Sequence, residues 1–142
     1  MAEIKLVRVD YRLIHGQVVA RWLKVCPVRR IVLVDDVLGS DEFMSDIYKM
    51  AVPKGTDVDI VTIDKAKEVL DNTDDTVFLI SKDIETCLKL VEKGVELPAI
   101  NVGAVPNEEG RKLITTGVAI AGFLLAVLSL LMQHGIISLL PL

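Results

Sequence analysis

Apolar and polar positions along the chain follow two alternating rhythms. Residues 4–9 read Ile-Lys-Leu-Val-Arg-Val, a near-alternation rich in aliphatics that predicts a strand. Val18, Val19, Trp22 and Leu23 then recur at helical spacing, which predicts a helix over 17–24. Pro27 limits it, because the residue before a proline avoids the α region. Ile31-Val32-Leu33-Val34 is a continuous apolar run ending in Asp35-Asp36, the pattern of a strand buried on both faces of a parallel sheet.

The pattern repeats. Gly39-Ser40-Asp41 offers a turn and an N-cap, and Phe43, Ile47 and Met50 follow at helical spacing. Val58, Ile60 and Ile63 mark a third strand around 59–62, and Asp64 is placed to cap a short helix through Leu70. Thr76-Val77-Phe78-Leu79-Ile80 predicts a fourth strand. Ser81-Lys82-Asp83 opens a helix carrying Ile84, Leu88 and Val91, closed by Gly94. Ile100-Asn101-Val102 predicts a fifth strand, with Gly103 and a polar loop behind it. Strands alternating with helices of this length predict an α/β fold: a mainly parallel open sheet with helices on both faces and right-handed crossovers. Sites in such sheets form beyond the C-terminal ends of the strands. That rule selects the loops at 10–16, 35–36, 64, 81–82 and 103–106.

Composition narrows the function. With 142 residues the chain suits one domain, and a net charge of −4 carries no basic footprint for nucleic acid. Cys26 and Cys87 are far apart and form no CxxC, so both read as reduced, buried thiols of a cytoplasmic protein. The start lacks a cationic and apolar leader, so no signal peptide is expected. No phosphate-binding GxxxxGK[ST], no GxGxxG and no GxSxG occurs, and His15, His134 and two isolated cysteines give no zinc spacing.

His15 is the leading candidate for chemistry. It follows the first strand, on the loop where a site is expected, behind Asp10 and Arg12. A ring nitrogen there is nucleophilic near neutral pH, and a guanidinium can clamp phosphoryl oxygens. Asp10 can orient Arg12 or His15; the plain alternative for the pair is a surface ion pair worth ~0–1 kcal/mol. Arg8 either points inward at the strand end or lies exposed. Asp35 and Asp36 fit capping and solvated charge better than a metal site. Ser81 and Lys82 either line the His15 loop or cap a helix and face solvent. Asp35-Asp36, Asp64 and Lys82 also echo a receiver domain, but the acidic pair sits on the second strand instead of the first.

The stretch Arg8-x-Asp10-x-Arg12-Leu13-Ile14-His15-Gly16-Gln17-Val18, with Trp22 behind it, resembles the active loop of IIB components of the mannose/fructose/sorbose family. These are subunits of the bacterial phosphoenolpyruvate-dependent sugar phosphotransferase system. Ile31-Val32-Leu33-Val34-Asp35-Asp36 and Asn101-Val102-Gly103 resemble it too, and the similarity runs from about residue 3 to about 118. The resemblance implies a cytoplasmic phosphocarrier at the inner face of the membrane. Nδ1 of His15 would accept a phosphoryl group from a phosphohistidine of IIA and pass it to a sugar entering through the membrane components IIC and IID. It implies that Arg12 contacts the phosphoryl oxygens with Asp10 nearby. Gly16, Gln17, Ser81 and Lys82 are candidates for lining the site. No cofactor or metal is implied, and a homo-oligomer is compatible. The alternative is a non-catalytic or defective IIB-like binding or regulatory module.

The 16 basic and 20 acidic side chains all lie at or before Lys112. Family members continue past this region with a charged amphipathic helix and a further strand. Here the sequence carries no formal charge and is mostly apolar, which suggests a carrier domain over 1–117 and an atypical tail over 118–142. That tail reads three ways: an altered or truncated terminus, a membrane segment, or a buried helix. Residues 118–132 would make only ~22 Å of helix against a ~30 Å hydrocarbon core, and a helix apolar all round leaves a greasy face.

Overall fold

The computed structural model describes residues 1–14, 16–98, 100–103, 111–115, 118–121 and 137–139, with backbone alone for 16–18 and beyond 103. In chain order the elements are β1 (Glu3–Val9), α1 (Gly16–Val25), β2 (Arg30–Val34), α2 (Asp36–Gly39), α3 (Glu42–Lys49), β3 (Asp57–Val61), α4 (Ile63–Asp71), β4 (Thr76–Ser81), α5 (Ile84–Glu92), β5 (Ile100–Val102), β6 (Arg111–Thr115), β7 (Val118–Ala121) and β8 (Ile137–Leu139). Six strands form one sheet in the order β3-β2-β4-β1-β5-β8, and every pair in it is parallel. β6 and β7 pair antiparallel as a separate ribbon.

Side chains of a strand alternate between faces, and the central strands divide accordingly. Val32 and Val34 of β2 and Val77 and Leu79 of β4 share one core with Ile63, Ala66 and Leu70 of α4 and Ile84, Cys87 and Leu90 of α5. Ile31 and Leu33, with Phe78 and Ile80, face the other way, onto Leu13, Ile14, Val19 and Leu38. Trp22, Met44 and Tyr48 pack against that second core. Helices therefore cover both faces, which explains why β2 and β4 read as unbroken apolar runs. Fully burying each such aliphatic side chain contributes about 1.5–3 kcal/mol. Both cysteines are free thiols, but only Cys87 is buried; Cys26, just past the end of α1, is half-buried.

Carboxylates set most helix starts. Asp35 accepts from the Leu38 N–H, Asp41 from Met44 and Asp83 from Thr86. The expected Asp64 cap is displaced: α4 begins at Ile63, whose side chain is buried, so Asp64 falls inside the first turn. The Ile63 N–H instead donates to Oδ1 of Asp36, 2.9 Å away, and Asp64 pairs with Lys93. α2 is an element the periodicity did not show, since four residues carry too little pattern.

The apolar spacing of Phe43, Ile47 and Met50 does mark a helix, but not its buried face. These three are 73%, 45% and 83% exposed, while Ser45 is buried and Met44 and Tyr48 pack inward. A hydrogen bond from the Ser45 hydroxyl to the Leu38 carbonyl, 2.6 Å, pins that rotation.

β8 lies beyond the boundary expected at 117 and pairs with β5 at the edge of the main sheet, with Ile100 opposite Ile137. Residues 118–121, the start of the tail for which a membrane segment and a buried helix were two of the three readings, instead form β7, and residues 122–136 lie outside the described residues. Among the described residues no helix is long and apolar enough to cross a membrane.

Candidate active site

β1 is flanked by β4 and β5, and the chain leaves its C-terminal end toward the α1 face. The chain leaving β4 goes to α5 on the opposite face. Loops departing neighbouring strands in opposite directions open a crevice at the sheet's C-terminal edge. Two backbone bonds tie the rim together: Asp10 N–H donates to the Ser81 carbonyl at 2.9 Å, and Gly103 N–H to the Val9 carbonyl at 2.6 Å.

The loop after β1 begins with a turn closed by Leu13 N–H donating to the Asp10 carbonyl, 2.9 Å. Leu13 takes φ +56°, the left-handed region that a branched side chain rarely adopts. Leu13 and Ile14 are both buried against the α1-side core. That burial offsets the backbone strain and fixes the chain immediately before residue 15.

Asp10 organises the turn. Its carboxylate accepts from the Arg12 backbone N–H at 3.0 Å, from Arg12 Nε at 3.0 Å and from Arg12 Nη2 at 2.8 Å. This two-pronged fork fixes the guanidinium plane. Asp10 is buried, whereas the Arg12 side chain remains 36% exposed and reaches the surface. The bond to Asp10 raises the Arg12 pKa further, so its charge is permanent.

Arg8, which the sequence left open, points inward and is 2% exposed. Its Nη1 donates to the side-chain oxygen of Asn101, its Nη2 lies 3.7 Å from Asp10 Oδ2, and its guanidinium carbon sits 5.1 Å from the centre of the Trp22 ring. Burial lowers the Arg8 pKa and the Asp10 charge opposes that change. An arginine still keeps its proton under such conditions. Gly103 makes room for it: a Cβ there would come 2.6 Å from Arg8 Cζ. Asn101 and Gly103 carried part of the family resemblance, and Gly103 opened a candidate site loop, but nothing in the sequence assigned either of them a role toward Arg8.

Other expected site residues are placed as follows. The Ser81 side chain is buried on the α5 face, where its hydroxyl donates to the Asp83 carbonyl at 3.0 Å and meets Cys87 Sγ at 3.3 Å. Its contribution to the loop is the carbonyl bonded by Asp10. Lys82 is exposed beside it. Gly16 and Gln17 open α1. His15 lies outside the described residues. Asp35 and Asp36 act as caps.

A model of the family "PTS system sorbose subfamily IIB component" matches residues 4–138. The chain belongs to this family. It is similar to the PTS system sorbose-specific EIIB component of Klebsiella pneumoniae, 35% identical over 121 residues, covering 83% of this chain and 74% of the relative. It is also similar to the N-acetylgalactosamine-specific phosphotransferase enzyme IIB component 1 of Escherichia coli K12, 33% identical over 136 residues, covering 94% and 86%. Among solved structures, manxB from Thermoanaerobacter tengcongensis superimposes with a TM-score of 0.87 at 34% identity, covering 100% of this chain and 87% of that one. The protein is thus a IIB component, a phosphotransferase subunit of a sugar phosphotransferase system, with the α/β fold of that family.

Proposed function

We propose that this IIB component carries phosphate on His15. The supporting observation is the Asp10–Arg12 fork, which holds an exposed guanidinium three residues before that histidine on a loop fixed at both strand neighbours. Neutral imidazole attacks the phosphorus of a phosphohistidine on the IIA partner. The donor's N–P bond breaks as the Nδ1–P bond of His15 forms. A sugar hydroxyl then attacks the phosphorus, its proton passing to solvent as the O–P bond forms, while the Nδ1–P bond breaks and the ring leaves as imidazole. Arg12 spends Nε and Nη2 on Asp10, and its Nη1 has no partner among the described residues, so it is the donor for the phosphoryl oxygens. Transfer of this kind relies on positioning and charge stabilisation more than on covalent activation. Gly16, Gln17 and Lys82 border the loop, and the acceptor sugar enters through IIC and IID, placing the chain at the cytoplasmic face of the membrane.

The test is phosphate uptake from phosphorylated IIA, read by mass spectrometry under conditions that spare acid-labile phosphate. His15→Ala should take up none, and uptake at the wild-type rate would end the assignment. Arg12→Ala should keep the fold, checked by circular dichroism, and slow transfer by roughly 10²–10³, the usual loss of one transition-state donor.

A further inference from the structure

The α2–α3 segment carries an apolar stripe that the carrier chemistry does not use. Val37, Phe43, Ile47 and Met50 are 75%, 73%, 45% and 83% exposed. The last three stand four and three residues apart, hence on one line along α3 and its C-cap. At 100° per residue, Glu42, Asp46 and Lys49 fall together on one flank of that line. The acids lie toward the N-terminal end and the base toward the C-terminal end. None of the three forms an ion pair among the described residues.

We propose that this stripe pairs with the same stripe of a second copy of the chain, antiparallel about a two-fold axis. A two-fold contact uses one patch twice and so demands a self-complementary surface. Antiparallel α3 helices supply it. Ile47 meets its twin near the axis, and Phe43 meets Met50 of the other copy in a sulfur–aromatic contact. Glu42 and Asp46 of each copy come beside Lys49 of the other on the same flank, whereas a parallel two-fold arrangement would put the two charged flanks on opposite sides of the seam, with no such pairing. The helix dipoles also oppose each other.

An eight-residue helix is ~12 Å long, so the patch is small beside the ~800 Å² per partner of a stable interface. A contact of this size makes a weak, reversible dimer. α3 leads into the edge strand β3, and β4 and β2 separate that edge from β1. The pairing does not depend on the His15 assignment.

The experiment is sedimentation velocity of the full chain across the micromolar range. Wild type should shift from monomer to dimer. Ile47→Asp, which sets two carboxylates face to face at an already exposed position, should stay monomeric with an unchanged circular dichroism spectrum. Glu42→Lys and Lys49→Glu should each weaken the dimer several-fold, and the double variant should recover it. A wild-type chain that is monomeric throughout overturns the proposal. So does a dimer that survives Ile47→Asp, or a double variant no tighter than the singles. A monomeric wild type in which Ile47→Asp slows phosphate uptake would assign the stripe to the donor protein instead.

Discussion

A buried guanidinium is costly unless its charge and its donors are met. Arg8 meets its charge and part of its donor set by long reach: Asn101, 93 positions away, accepts a hydrogen bond, Asp10 supplies the opposite charge, and Trp22 supplies an aromatic face, while Nε stays buried with no hydrogen-bond partner among the described residues. Gly103 is the least replaceable member of this set, since any Cβ there enters the guanidinium. Gly103→Ala should therefore displace Arg8, lower stability by about 1–3 kcal/mol as overpacking does, and slow phosphate uptake through Asp10. Urea denaturation beside a transfer assay checks it; a variant within about 0.5 kcal/mol of wild type, the range of neutral surface changes, would show that Arg8 has room to spare. The contrast with Arg12 explains what the sequence discloses at this scale. Asp10 and Arg12 are two residues apart, and their pairing was readable from spacing and charge. Arg8 needs a strand that arrives at residue 100, and nothing local reveals that its side chain turns in.

At the scale of elements, short-range rules located strands and helices but not how each helix is rotated or begun. The α3 stripe obeys helical spacing, yet Ser45 and its bond to the Leu38 carbonyl roll the stripe outward. The start of α4 is set across elements as well. Thr62 makes no side-chain cap bond, and the carboxylate of Asp36, the first residue of α2, receives the Ile63 N–H in its place. Asp36 thereby ties α2 to α4 at the C-terminal edge of the sheet. Asp36→Ala should cost about 1 kcal/mol, the usual loss of a helix-start acceptor. Asp64→Ala, which removes only an exposed pair with Lys93, should leave the thermal midpoint unchanged. Thermal melts of the two variants side by side decide between the two carboxylates, and a larger loss at Asp64 would restore the local cap that spacing alone suggested.

For the whole molecule, the alternation of apolar runs and helical stripes was enough to specify a parallel sheet covered on both faces, because each two-faced strand must be buried twice. Where residues 137–139 join was not legible, since three apolar residues in a charge-free segment fit several partners. Pairing beside β5 places them at the sheet edge. The core that results carries its own pH dependence through Cys87. This thiol is 1% exposed between α5 and the sheet, and burial pushes its pKa up to about 11 despite the nearby Ser81 hydroxyl. In the unfolded chain a cysteine titrates near ~8.5. Between that value and about 11 the unfolded state has released a proton that the folded state still holds. Stability therefore falls as pH rises through this window and levels above it. The loss across the window is on the order of 3 kcal/mol, since a tenfold change in proton activity is worth about 1.4 kcal/mol. Tyrosine and lysine titrate in the same range, so the informative quantity is the difference between wild type and Cys87→Ala. The variant should be less stable at neutral pH, where it loses a packed side chain, and should close the gap as pH rises from about 9 to about 11. Unfolding curves that stay parallel across that range would show that the thiolate finds solvent in the folded protein, and that the α5 side of the core opens at alkaline pH.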